Sequence, residues 1–247
     1  FAHPLRSFGE FRRETRLVAD PVALLVDNSD PTRRSAAGRR LRAHILGGGL
    51  PPGARLVERE LCKITGASRS VVREVLIDLE GRGLIERESY KGFRIARLSP
   101  RRAAEIFEMR AVLEGHAAEA FTERASEAEI AGLRNAFSDL AAAVSASDTP
   151  AMHAAKARYY DLLFTGCRNR ELRIALSAVM DRIMLIRGSN MADSARRRAS
   201  LAEMRRLTEA LAARDPIAAR AATLAHIDGA RRAALEALSA DAERSTA

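Results

Sequence analysis

Cysteine is almost missing from this 247-residue chain: only Cys62 and Cys167 occur, far apart and outside any CxxC. That excludes a disulfide framework and a zinc knuckle, and leaves both as packed thiols. Long apolar runs are missing too. Nothing approaches the roughly 18 to 20 apolar residues of a membrane span, and the one candidate, Leu17 to Val26, is broken by Asp20-Pro21. No signal-peptide pattern opens the chain, so the expected location is the cytoplasm, with no membrane partner. Lysine is confined to positions 63, 91 and 156, and arginine supplies nearly all the positive charge. Catalytic signatures are also lacking. There is no nucleophile motif and no paired-histidine metal motif, and Gly48 to Gly53 lead into Ala54-Arg55, where a phosphate loop needs Lys followed by Ser or Thr. An enzyme is not expected. Without a repeat of fixed period, a solenoid is disfavoured.

What is present is an apolar share of 47%, enough to fill the cores of two ordinary domains. The net charge is +9 and unevenly placed: residues 1–99 hold 19 Lys+Arg against 12 Asp+Glu, residues 100–247 hold 22 against 20. A basic first part suits a polyanionic partner, and a near-neutral second part suits oligomerisation or a small ligand.

Residues 1–34 show no sustained period and read as a flexible arm with at most one short helix. From Ser35 a short amphipathic helix carries Leu41, His44 and Ile45 and stops at Gly47-Gly48-Gly49. Leu50-Pro51-Pro52-Gly53 makes a turn, and Arg55-Leu56-Val57 is extended. A second helix spans about Glu58 to Ile64, and Thr65-Gly66-Ala67 breaks it. Ser68 is a good N-cap for a third, Arg69 to about Gly81, with Gly83 as its stop. Val72, Val75, Leu76 and Leu79 give that helix a buried stripe and leave Arg69, Ser70 and Arg73 on the other side. Two short strands, 84–87 and 93–96, form a basic hairpin. Helix, tight turn, capped arginine helix and hairpin in that order make a winged helix-turn-helix, which offers its arginines to a DNA major groove.

The remainder reads as helices at about 101–123, 127–145, 150–166, 170–188, 195–213 and 216–239. Ser99-Pro100, Thr149-Pro150 and Asp215-Pro216 mark three starts, and Ser126 with Glu129 marks a capping box. Short connections imply an antiparallel bundle. The expected fold class is mostly α: a winged helix-turn-helix over 35–98 and a six- to seven-helix bundle over 99–240, with 1–34 as an arm and 241–247 as a tail.

The stretch from Leu41 to Leu98 resembles the DNA-binding domain of the GntR family of bacterial transcription regulators, and the helical remainder resembles the FCD effector domain of its FadR subfamily. The likeness spans about residues 36–240 and rests on Pro52-Gly53, Leu56-x-Glu58, Ser68-Arg69-x-x-x-Arg73-Glu74, Leu79-Glu80-x-x-Gly83-Leu84 and Gly92. It implies a homodimer on a short palindromic operator in double-stranded DNA, with affinity set by a small metabolite, a carboxylate or another anion. Carried over by position, Arg59 is the second-helix contact. Ser68, Arg69, Ser70 and Arg73 are recognition-helix contacts, and Lys91 with Gly92 is the wing tip. Val71 stands where many members have Pro or Thr, a change that bears on base preference.

In the second domain the resemblance breaks down at one place. Many FCD domains hold a divalent metal through an aspartate and three histidines. Here Lys156, Tyr160 and Met204 occupy three of those positions and only His226 matches. One imidazole beside a lysine is a poor metal site, so no metal and no cofactor are expected. Arg110, with Glu114 one turn on, resembles a cavity-lining arginine of relatives. Convergence of Arg110, Lys156 and Tyr160 would make an anion site without a metal; ordinary core at that place is the alternative. His44, His116 and His153 read as packed or solvated. The competing function is a DNA-binding protein that senses nothing and whose helical domain only dimerises.

Overall fold

The computed structural model describes residues 33–46, 49–89, 91–187 and 194–246; for 33–35, 187, 241, 242 and 244–246 it describes the backbone alone. The expected arm lies outside these residues except at its end, where Arg33 already opens a helix. Two compact units divide the chain, Phe1–Leu98 and Ser99–Ala247.

In the first unit the elements are α1 (Arg33–Leu46), β1 (Arg55–Leu56), α2 (Glu58–Thr65), α3 (Arg69–Gly81), β2 (Ile85–Glu88) and β3 (Gly92–Ile95). Local chemistry sets each boundary around the helix-turn-helix. Gly66 closes α2 at φ 67°, a left-handed value that suits glycine, and the Ser68 hydroxyl then accepts the Val71 N–H at the start of α3. Gly83, at φ 72°, ends α3 with the Leu84 N–H bonded back to the Leu79 carbonyl at 3.0 Å. The hairpin is larger than expected. The short extended piece Arg55–Leu56 joins it as an edge strand, giving an antiparallel sheet ordered β1-β3-β2 with Leu56 opposite Phe93 and Arg87 opposite Phe93 on the other side. Leu41, Leu61, Val75, Leu76, Leu79, Leu84 and Ile95 are buried and make the core of this unit.

The second unit is a bundle of α4 (Pro100–Arg124), α5 (Glu127–Ser145), α6 (Thr149–Gly166), α7 (Arg170–Arg187), α8 (Ser194–Ala212) and α9 (Pro216–Thr246). Its starts are capped by Ser99, Ser126, Asp148, Asn169 and Asp215. Asp148 replaces Thr149 as the expected cap, because its carboxylate reaches the Ala151 N–H at 2.9 Å and draws Thr149 into the first turn. The tail expected from 241 is helix through Thr246: no Gly or Pro follows Gly229 to stop it, and the sequence there is rich in good helix formers. α9 packs along α4 and α8, and α5 along α6. Phe121, Leu133, Tyr159, Leu163, Met204 and Leu211 lie in the shared core. Gly166 permits one close crossing, since a Cβ there would stand 2.5 Å from the Phe121 ring. Arg214 ties the far end, donating to the carbonyls of Thr122 in the last turn of α4 and of Ala125 just after it.

Candidate functional site

The first unit presents a cationic face. The apolar stripe of α3 is buried against α1, α2 and the sheet, which turns Arg69, Ser70 and Arg73 outward; Arg59 is exposed on α2. Among the described residues none of Arg59, Arg69 and Arg73 is engaged by a carboxylate or held by a hydrogen bond. Three fixed charges without internal partners are therefore available to an external anion. Ser68 and Ser70 share a hydroxyl contact at 2.9 Å while Ser68 also caps the helix, so the pair is ordered at the tip of α3. Val71 is half-buried behind them.

The wing differs from this. Lys91 Nζ donates to Glu88 Oε1 at 3.2 Å, and Arg94 Nε lies 2.5 Å from Glu88 Oε2. The Lys91 hydrogen bond holds the Glu88 carboxyl below its ordinary range, with burial opposing and Arg94 adding to the effect. Gly92, at φ 88°, makes the turn that exposes Lys91. Arg87 serves the fold instead, since its guanidinium carbon sits 4.7 Å from the Phe93 ring centroid and Nη2 donates to Glu80, tying the sheet to α3.

The second unit contains a buried polar chain. Arg110 and Glu114, one turn apart on α4, are 0% and 1% exposed and pair through Nε–Oε1 at 2.5 Å. Arg110 Nη2 also donates to the Tyr160 hydroxyl at 2.9 Å, and that hydroxyl meets His226 Nε2 at 3.2 Å. His226 Nδ1 contacts Glu203 Oε2 at 2.9 Å, and Arg196 clamps Glu203 with both terminal nitrogens. Four helices are thereby linked: α8, α9, α6 and α4. Burial works against the Arg110 charge, yet Glu114 and Tyr160 outweigh it and hold the guanidinium above its ordinary range. Burial likewise raises the Glu203 carboxyl, but His226 and Arg196 pull it down to about 2.

Beside this chain lies a cavity of about 100 Å³ to which all six helices contribute. Phe107, Leu140, Val144, Met152 and Leu201 give it apolar walls, and Lys156, Arg196 and Arg197 line it with positive charge. Arg196 belongs to both features, so the cavity and the buried chain share one guanidinium.

With this geometry in place, the likenesses to known proteins are decisive. The profile described as "Bacterial regulatory proteins, gntR family" matches residues 33–95, and that of the FCD domain matches residues 105–229. The chain belongs to the GntR family. It is a DNA-binding transcription regulator with an FCD domain. It is similar to the uncharacterized HTH-type transcriptional regulator YdhC of Bacillus subtilis, 31% identical over 191 residues, covering 76% of this chain and 85% of that one. It is also similar to the galactonate operon transcriptional repressor of Escherichia coli, 27% identical over 215 residues, covering 78% and 92%. The fold matches a putative GntR regulator from Rhodococcus sp. RHA1 at TM-score 0.72 and 20% identity, covering 83% of this chain and 99% of that one. No helix among the described residues is long and apolar enough to cross a membrane.

This GntR chain assembles the expected pocket residues only in part. Arg110, Tyr160 and His226 meet through the Tyr160 hydroxyl, but Arg110 is held by Glu114 and Tyr160, its Nη1 is buried without a hydrogen-bond partner, and it does not line the cavity. Lys156 lines the cavity instead, although it shares a helix face with Tyr160. Met204 is 0% exposed in the apolar core and reaches neither feature. Its neighbour Glu203 occupies the polar position, because one residue along a helix turns the side chain by about 100°. Sequence reasoning missed Glu203, Arg196 and Arg197. The available signal was spacing: Arg196 and Glu203 lie seven residues, two turns, apart and so on one face. These donors do not fit a metal. Both nitrogens of His226 are occupied, two guanidinium groups flank the site, and among the described residues no group of three or more His, Cys, Asp and Glu could hold an ion.

Proposed function

We propose that this GntR regulator acts as a homodimer on a short palindromic operator and that a small anion in the FCD domain changes its DNA affinity. The observation that carries the reading is the trio Arg59, Arg69 and Arg73, which stand exposed and unneutralised around a capped helix. The first turn of α3 enters the major groove. Arg69 and Arg73 read base edges or grip phosphate, Ser68 and Ser70 order the tip, and Arg59 and the Lys91-Gly92 wing follow the backbone. One such unit contacts few bases, so a specific site takes two copies, and two-fold protein symmetry mirrors the palindrome. Support for a dimer face comes from Met109 and Val112 on α4, 52% and 66% exposed, and from Leu224 on the adjoining α9.

Support for sensing comes from the shared guanidinium. A ligand anion that engages Arg196 competes with Glu203, and Glu203, His226, Tyr160 and Arg110 lead from there to α4. That helix follows the DNA-binding unit directly in the chain, so its repacking is the route to the operator. The likeness to a galactonate operon repressor is in keeping with such a ligand-responsive role.

The test is operator mapping across the genome followed by titration of one bound duplex. Arg69→Ala should weaken the specific site by roughly 1–3 kcal/mol and relax one base position. Arg59→Ala should weaken all duplexes alike and reduce the salt slope by about one. Unchanged operator affinity in Arg69→Ala would refute the assignment, and a monomer at micromolar concentration in sedimentation would refute the dimer.

A further inference from the structure

We propose that Ile77, two turns beyond Ser70 on α3, selects a thymine in each half of the operator by packing on its C5 methyl group. This rests on the reading above that α3 enters the major groove, and it adds a specificity-determining side chain that carries no charge and makes no hydrogen bond. Three observations carry it: the exposure of Ile77, its phase on the helix and the pattern of charge around it.

Ile77 is 51% exposed, and among the described residues of the first unit no other large apolar side chain stands exposed. It takes no part in the stripe of Val72, Val75, Leu76 and Leu79 that holds α3 to its own domain. A β-branched residue is also a weaker helix former than Ala, Leu, Lys or Arg. Neither packing nor helix propensity accounts for it.

Phase gives it a direction. The four buried residues fix the inward side of α3, and the line opposite them runs through Ser70, Ile77 and Gly81. Seven residues return a helix to within about 20° of the same direction, about 10.5 Å further along its axis. Ser70 and Ile77 therefore face the same way. Gly81 adds no side chain beyond them, and a Cβ there would meet nothing within 4 Å, so the line stays open.

Charge flanks this line without entering it. Arg69 and Arg73 lie to one side, together with Glu80, which Arg87 holds; Glu74 and Asp78 lie to the other, and Arg82 Nε neutralises Asp78 at 2.9 Å. A helix lying along the groove turns such edges toward the phosphates and its uncharged line toward the bases. There the thymine methyl is the apolar group on offer. A guanine or cytosine edge set against Ile77 would lose water and gain no partner. At about 3.4 Å per base pair, the separation from Ser70 puts this thymine about three base pairs from the bases that the first turn reads.

Thymine-to-uracil scanning of the mapped operator tests this, because each replacement removes one methyl group and leaves every hydrogen bond in place. Binding is measured with the full-length protein and with its Ile77→Ala variant. In the parent, uracil at one position of each half-site should weaken binding about fourfold, the worth of one methyl group taken out of water. In Ile77→Ala the same replacement should change nothing. Ile77 is exposed, so the variant should keep the parent's Tm. If no position is sensitive in the parent and insensitive in the variant, the proposal is overturned; end-on entry of α3, in which its first turn alone meets bases, gives that result. A relaxed base preference in Arg69→Ala would then leave the major-groove reading standing. Unchanged preference in Arg69→Ala, with uracil tolerated throughout, would sink both.

Discussion

Removing one partner of the Arg110–Glu114 pair should be far more damaging than removing both. The pair is wholly buried, with side chains 0% and 1% exposed. Glu114→Leu leaves a guanidinium with only the Tyr160 hydroxyl and no counter-ion, and breaking a buried pair in this way costs about 3–5 kcal/mol. Arg110→Met leaves a buried carboxylate that must take up a proton or stay unpaired, with a penalty of about the same size. In the double variant Arg110→Met, Glu114→Leu no charge is left to desolvate, Tyr160 keeps His226 as a partner, and the apolar pair fills similar volume beside Phe107. Such replacements are often neutral or stabilising. The cycle should therefore show a coupling of about 6–10 kcal/mol, above the roughly 0.5–3 kcal/mol usual for residues in contact, because each single variant strands a buried charge. For a domain of about 150–250 residues each kcal/mol moves the midpoint by about 2–4 °C, so either single change should lower Tm by about 6–20 °C and the double by little. Urea unfolding at one fixed protein concentration measures this, following the transition of the helical unit. Additive effects in the double variant would refute the view that Arg110 is held by Glu114 and needs it.

Three further outcomes follow from the same geometry. Glu88→Gln frees Lys91 and Arg94 from an internal carboxylate, so binding to any duplex should tighten and the salt slope should steepen by about 0.9 for each cation gained; an unchanged slope in a salt titration would show that the wing does not touch phosphate. Glu203 is held at about 2, below its ordinary 4.5. Its contribution to stability is complete above 4.5 and is lost as pH falls toward 2, at a slope of up to about 1.4 kcal/mol per pH unit, and Glu203→Gln should flatten that part of the denaturation profile. Elemental analysis of the purified protein should find no stoichiometric zinc, nickel or manganese, and chelators should leave DNA binding unchanged; about one metal per chain, lost in His226→Ala, would contradict the donor argument.

The helix-turn-helix was legible to within a residue. Ser68, Gly66 and Gly83 act through hydrogen bonds and dihedral angles within a few positions of themselves, so the limits Arg69 and Gly81 follow from local chemistry alone. The apolar stripe of α3 then decides which arginines face outward. The end of α9 was not legible, because nothing between Leu238 and Thr246 signals a stop and the expected tail had only its position to mark it.

The pocket shows where local chemistry stops being enough. Lys156 and Tyr160 share a face by spacing, yet one lines the cavity and the other joins the buried chain, because α6 lies against different neighbours at each position. Met204 and Glu203 are adjacent in the chain and opposite in role: the first is core, the second closes the network to Arg196 and His226. By itself the sequence determined most of the helix starts and the winged helix-turn-helix, since these depend on residue type and short-range bonding. Only the tertiary structure decided which charges neutralise one another. Pairs such as Tyr160 with His226 and Arg110 with Tyr160 are set by how α4, α6, α8 and α9 pack, and burial makes that pairing obligatory.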